Sequence, residues 1–215
     1  MLINVVISTF DRFELLRKCI KSIVNSDYKD ISIFVIVDGN EKMINELKDE
    51  PVEILFNPER MDYIISINKA IKHIKDGAVL YASDDLIFWP NCISNAAKAM
   101  KEHFPDTDGL IALKQVQKEG GAAFGLLGRK FINRFSNGEV FCPEFIHYGG
   151  DTELRDFAQS IGRFHQCREA IIDHSRQCDN TFKLARKVKT HDKQIYKRRR
   201  CKKFLWGESF ERVRE

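Results

Sequence analysis

Two hydrophobic periods alternate along the first 85 residues. Leu2 to Ser8 is a short, continuous, β-branched apolar run and predicts a buried strand. Leu15, Leu16, Cys19, Ile20, Ile23 and Val24 then recur at helical spacing. Ile31 to Val37 predicts a second strand, Glu41 to Lys48 a short helix, and Val52 to Phe56 a third strand. Ile64, Ile67, Ala70, Ile71 and Ile74 mark another amphipathic helix, and Ala78 to Ala82 a fourth strand. Strand and helix in strict alternation predict an α/β domain with a mostly parallel, twisted sheet flanked by helices.

The second half is less regular. Asn91 to Phe104 reads as helix, Gly109 to Leu113 as strand and Leu126 to Phe135 as a short helix. Leu154, Phe157, Ala158 and Ile161 have helical spacing closed by Gly162, and Ala170 to Ile172 is a short strand leading into Asp173-His174. The one boundary falls near Thr181, dividing an α/β domain over 1–180 from a basic tail or helical extension over 181–215.

Charge sharpens that boundary. The chain has 215 residues and a net charge of +4. Lys183 to Glu215 holds 13 Lys/Arg against 4 Asp/Glu, leaving 22 against 27 in the remainder. A mildly acidic body therefore carries a strongly basic end, a footprint suited to phosphates of nucleic acid or of an anionic membrane face. A solvated helix without a partner is the plainer reading of a charge run alone. No apolar run approaches a bilayer span and no basic region precedes the first strand, so a cytoplasmic protein is expected. Nothing calls for an obligate protein partner. The six cysteines are scattered and read as reduced thiols. His165, Cys167, His174 and Cys178 are zinc-capable types, but their spacing is not that of a finger.

In α/β sheets ligands sit beyond the carboxyl ends of strands. Three polar clusters fall there: Ser8-Thr9-Phe10-Asp11, Asp38-Gly39-Asn40 and Ser83-Asp84-Asp85. No G-x-G-x-x-G, no G-x-x-x-x-G-K-[ST] and no G-x-S-x-G accompanies them, which excludes the usual dinucleotide turn, the P-loop and the hydrolase elbow. Carboxylates repel a bare diphosphate and hold one only through a divalent cation. Asp84-Asp85 is thus a candidate site for Mn²⁺ or Mg²⁺ carrying a diphosphate. Side chains alternate along a strand, so Asp85 is assigned to the metal and Asp84 to the ribose or sugar. Taken alone, two such carboxylates more often simply end a strand.

These residues resemble the family 2 glycosyltransferases with the GT-A fold. Val5 to Arg12 with Leu15 to Ile23 is similar to that family's first strand and helix, and Ile33 to Gly39 to its second strand with a nucleotide-binding aspartate, Asp38. Asn68 matches an asparagine the family often has in this helix. Ala82 to Leu86 is similar to its acidic motif, and Gly149-Gly150-Asp151-Thr152-Glu153-Leu154 to the segment that supplies its catalytic base. His174 matches a histidine common at the following strand end. The motif departs from a full D-x-D at Ser83, Gly150 stands where an acidic residue is common, and the basic tail lies outside the pattern.

The resemblance implies inverting sugar transfer from a nucleotide-sugar such as a UDP-sugar. Asp151 would be the general base, and Thr9, Asp11, Arg12, Asp38, Asn68 and Asp84 would bind the donor. Asp85 and His174 would hold the metal, with a plain structural role equally open to His174; a turn role is equally open to Asp38. His147 is placed toward the acceptor. In the tail, Arg198, Arg199 and Arg200 beside Trp206, with Lys202, Lys203, Phe204 and Phe210, suit a nucleic-acid backbone with stacked bases. That favours a phage-type enzyme decorating hydroxymethylated pyrimidines in DNA over one acting on a lipid-linked or cell-envelope saccharide at a membrane surface. Two other classes compete: a non-catalytic nucleic-acid-binding module on a degenerate nucleotide-binding fold, and a nucleotidyltransferase.

Overall fold

The computed structural model describes residues 1–117, 120–135, 138–175, 177–201 and 206–207. Strands β1 (Ile3–Thr9), β2 (Ile31–Asp38), β3 (Glu53–Asn57) and β4 (Ala78–Ser83) lie where the apolar runs predict them. Helices α1 (Phe13–Val24), α2 (Lys42–Leu47) and α3 (Asp62–His73) connect them. Then follow β5 (Leu86–Phe88), α4 (Cys92–His103), β6 (Leu110–Gln115), β7 (Gly125–Leu127), α5 (Arg129–Ile132), α6 (Gly150–Ser160), β8 (Phe164–His174) and α7 (Asn180–Cys201).

The strands form one sheet in the order β3-β2-β1-β4-β7-β6-β8-β5. The first four are parallel throughout; β7 enters antiparallel between β4 and β6, and β5 closes the edge antiparallel to β8. The sheet is parallel where helical crossovers connect it and mixed where short loops do.

Burial follows from the period of two. Ile3, Val5 and Ile7 point into one core with Leu16, Cys19, Ile20 and Ile23 of α1 and the apolar face of α4. Val6 points the other way, into a second core with Ile64, Ile67, Ala70 and Ile71 of α3 and with Leu154 and Phe157 of α6. Both faces of the parallel half are covered, so its strands read as continuous apolar runs.

Two expectations are corrected. Leu126 to Phe135 is not one helix: Leu126 and Leu127 lie in β7, and only Arg129–Ile132 turns helically. Gly128 makes that switch. A Cβ there would lie 2.0 Å from the Thr107 carbonyl oxygen. The strand foreseen at Ala170 to Ile172 is the end of the eleven-residue β8.

The basic segment is helical from Asn180 to Cys201 and packs on the body. Asp192 is fully buried and accepts the backbone N–H groups of Ile146, His147 and Tyr148 at 3.0, 2.8 and 2.7 Å. Arg199, also buried, pairs with Glu153 at 3.0 Å and with Glu144 at 2.5 Å.

Candidate active site

The parallel register sets the carboxyl ends of β2, β1 and β4 side by side, with Thr9 opposite Val37 and Ser8 opposite Ser83. Asp84 and Asp85 form the turn after β4 and take different neighbours. Asp84 turns to β1, where the Thr9 hydroxyl donates to it at 2.9 Å. Asp85 accepts from the Ser83 hydroxyl at 2.7 Å and lies 3.3 Å from His174 Nε2 at the end of β8. His174 Nδ1 lies 3.2 Å from the Gln115 side-chain oxygen. Both aspartates are almost wholly buried.

Arg12 bridges them. Its Nη1 lies 3.2 Å from a carboxylate oxygen of each, while Nε and Nη2 grip Asp179 at 2.7 Å. The pair does not titrate alike. Burial pushes the Asp84 carboxyl up to about 7, with the neighbouring Asp85 charge adding to it and Arg12 and Thr9 opposing. Burial works against Asp85 too, but hydrogen bonds from His174 and Ser83 and the Arg12 charge overcome it and hold that carboxyl below its ordinary range.

Across the cleft, Gly149 has φ +94° and precedes Gly150, the first residue of α6. A Cβ on Gly150 would lie 2.9 Å from Ile64 Cδ1, so α6 starts close against α3. Asp151 follows in the first turn, at the positive end of the helix dipole. The preceding loop is held on two sides, by Asp192 and by Ile64 N–H donating to the Ile146 carbonyl at 3.2 Å.

Two connected chambers result. The smaller is lined by Ser8, Thr9, Phe10, Asp38, Arg60, Asp62 and Asp84. The larger, about 350 Å³, is lined by Asp85, His174, Asp151, Phe124 and Tyr148, and roofed by Phe182, Ala185, Arg186 and Lys189 of α7. Arg12, Tyr63, Ser83, His147 and Thr181 border both. A wider groove at the outer edge of β2 and β3, beside Tyr28 and Pro51, contains none of the rim residues.

Most of the residues singled out in the sequence meet here: Thr9, Arg12, Asp38, Asp84, Asp85, His147, Asp151 and His174. Asp38 accepts from Asn57 Nδ2 at 3.0 Å and from the Met61 N–H at 2.9 Å, so one of its oxygens is engaged by the chain. Asp11 accepts a hydrogen bond from the Thr181 hydroxyl at the rim.

Asn68 lies apart from these residues and lines neither chamber. It is buried, its amide donates to the Phe141 carbonyl at 2.7 Å, and its oxygen accepts from the Phe141 N–H at 2.9 Å, so its polar atoms are spent on packing. Arg198, Arg199, Arg200 and Trp206, read as acceptor contacts, line neither chamber. Arg199 is inside the fold, Arg198 pairs with Glu144, Arg200 donates to the Tyr196 hydroxyl at 2.7 Å, and Trp206 Nε1 donates to the Glu139 carbonyl at 2.6 Å. Lys202, Lys203, Phe204 and Phe210 lie outside the described residues. The zinc-capable residues are not gathered: His165 stacks on His103 at 3.6 Å between centroids, whereas His174 faces Asp85.

Sequence reasoning missed Asp179, Tyr63 and the α7 residues that roof the cavity. Asp179 carried a signal. It stands just before a helix and its carboxylate accepts the Phe182 N–H at 2.8 Å, as an N-cap does.

The family model described as Glycosyl transferase family 2 matches residues 4–121, more than half of the chain. No curated protein sequence matches. Among solved structures, the mannosyltransferase PcManGT from Pyrobaculum calidifontis, in complex with GDP-Man and Mn²⁺, is similar with a TM-score of 0.71 at 13% identity, covering 88% of this chain and 62% of that one. TarS of S. aureus is similar at 0.65 and 12% identity, covering 87% of this chain and 39% of that one. A shorter form, TarS 1-349 with UDP, gives 0.58 at 13% identity, covering 82% of this chain and 59% of that one. The chain thus spans less than two thirds of each of these structures. At such identities the likeness establishes the fold.

Proposed function

The chain belongs to glycosyl transferase family 2, and on that premise we propose that it moves a sugar from a nucleoside-diphosphate donor to an acceptor hydroxyl, with inversion at the anomeric carbon. One observation carries the reading. Asp85, His174 and Asp151 line one cavity, and that cavity shares Arg12, Tyr63, Ser83, His147 and Thr181 with the smaller chamber bordered by Thr9 and Asp38. A leaving diphosphate and a base are thereby available to the same sugar.

Asp85 and His174 fit a divalent cation. A carboxylate oxygen and an imidazole nitrogen 3.3 Å apart on a cavity wall can share one ion. Among the described residues no three His, Cys, Asp or Glu side chains converge on a point, so diphosphate oxygens and water would complete the shell, as is usual for Mg²⁺. When bound, the ion would neutralise charge on the departing diphosphate.

The chain's own residues do the rest. Thr9, Asp38 and Phe10, with Arg60 lying 4.8 Å over the Phe10 ring, receive the nucleoside. Arg12 offsets the charge of Asp84 and Asp85 beside the place where the diphosphate leaves. Asp151 takes the acceptor proton as the new C–O bond forms and the bond to the diphosphate breaks. His147, kept neutral by burial, borders both chambers and orients the bound sugar without adding charge. A hydroxymethylated pyrimidine of DNA as acceptor rested on Arg198, Arg199, Arg200 and Trp206. With these engaged elsewhere, the acceptor is better argued from the cavity itself.

The test is diphosphate release from a panel of UDP- and GDP-sugars with Mn²⁺ or Mg²⁺. These are the nucleotides and the ion held by the structural neighbours. Slow release from one donor, abolished in Asp85→Ala, supports the reading. Asp151→Asn is expected to keep donor affinity and lose transfer by about a thousandfold. Absence of both release and metal-dependent donor binding would overturn it in favour of a non-catalytic binding module.

A further inference from the structure

Among the described residues, three arginines line the two chambers, and two of them are neutralised. Arg12 is held by Asp84, Asp85 and Asp179, and Arg60 by Asp62 at 2.8 Å. The third, Arg186, has no carboxylate partner among the described residues, and neither does Lys189 one turn on. The Arg186 guanidinium instead lies 5.6 Å over the Phe182 ring, which limits its orientations. Phe182, Arg186 and Lys189 are spaced four and three residues apart and share one face of α7, the face turned to the cavity.

This face does not drift. The start of α7 is tied to Arg12 through Asp179, and its middle to the 146–148 loop through buried Asp192. Two uncompensated cations are therefore held over the cavity that contains Asp151. A guanidinium fork beside an ammonium matches a phosphate ester, to which both donate charge-assisted hydrogen bonds. The donor's diphosphate, placed at Asp85 and His174, borders this same cavity, but there its charge is met by the divalent cation, which leaves the roof cations to a second anion. An anionic acceptor would also be repelled by Asp151, and this pair offsets that repulsion.

We propose that Arg186 and Lys189 bind a phosphate ester carried by the acceptor, next to the hydroxyl that Asp151 deprotonates; the proposal rests on the transferase reading. The acceptor is thus a phosphorylated unit rather than a neutral saccharide.

Calorimetry separates the two sources of phosphate. Protein is first saturated with UDP or GDP and Mn²⁺, filling the donor's diphosphate site, and is then titrated with glycerol 3-phosphate or with glycerol. The phosphate ester is expected to bind and glycerol not. Arg186→Ala/Lys189→Ala should weaken the ester at least about tenfold while changing nucleoside-diphosphate affinity by less than about twofold. Lys183→Ala/Lys187→Ala removes the same charge from exposed positions that do not line the cavity, and should leave both titrations unchanged. The proposal is overturned if the loaded protein binds no ester, if both double variants weaken it equally, or if the first variant mainly loses the nucleotide. Failure of the transferase reading looks different: no nucleoside diphosphate binds with either metal, and titration of the free protein still reads the phosphate site.

Discussion

Arg12 and Asp179 form a two-pronged ion pair, each nitrogen 2.7 Å from its carboxylate oxygen, between residues 167 positions apart. The same guanidinium reaches Asp84 and Asp85 with its remaining nitrogen. The first strand-to-helix loop, the acidic pair after β4 and the head of α7 are thus joined through one side chain.

Removing that side chain leaves two buried carboxylates side by side with no fixed cation. Arg12→Met is expected to lose about 3 kcal/mol of stability, as breaking a buried pair from one side does. Mn²⁺ should then raise the melting temperature more in the variant than in the wild type, because the ion replaces a missing charge. Thermal melts with and without Mn²⁺ decide this. Equal shifts in the two proteins would mean that Arg12 does not neutralise the pair.

Asp192 fixes the loop before Asp151 without lining either chamber. Its three backbone hydrogen bonds fix the loop that ends at Gly149. Asp192→Asn keeps the shape but sets an amide against N–H donors, at a cost of about 3 kcal/mol. We expect transfer to fall about tenfold or more while donor KM holds, because a small misplacement of Asp151 slows the step without loosening the nucleotide. Amide exchange at 146–148 should accelerate in parallel. A loss of activity that merely tracks the folded fraction would reduce Asp192 to a packing role.

Asn68 gives the opposite prediction. Asn68→Ala breaks both bonds to Phe141 and should cost about 2 kcal/mol. Calorimetry should find donor affinity unchanged within error. A weakened donor would restore Asn68 to the nucleotide site.

His147 carries a pH signature. Burial lowers its pKa below the ordinary 6.5; Asp62, Asp192 and Asp151 pull upward, and Arg60 adds to the lowering. The unfolded chain therefore binds this proton more readily than the native one, so stability falls as pH drops through 6.5 toward the lower native value. Denaturant titrations at about pH 7.5 and about pH 5.5 should show a smaller loss in His147→Gln than in the wild type. Identical losses would mean that His147 is protonated in the native state.

The strand ends were readable because burial on both faces demands unbroken apolar runs, and the first polar residue after each run must lie at the rim. That logic reached Thr9, Asp38, Asp84 and Asp85 from sequence. It failed at Leu126-Leu127, where a short apolar run fits strand or helix equally and only the gap between β4 and β6 decides. Nor does it reach the partners of Asn68. A polar residue among Ile64, Ile67 and Ile71 looks like a ligand contact until Phe141, 73 residues away, supplies its partner.

The amino-acid order by itself determined the α/β class, the parallel first half, the acidic pair and the glycines before Asp151, because each depends on periodicity or on backbone freedom within a few residues. Tertiary structure alone decided what the basic segment is for. Along the chain, Arg186, Asp192 and Arg199 are equivalent members of a charged helix. In space one faces a cavity with its charge unspent, one is buried against three backbone N–H groups, and one is buried against glutamates. Local sequence cannot distinguish them, since a charge acquires its role from the groups that face it, and those come from segments tens of residues away.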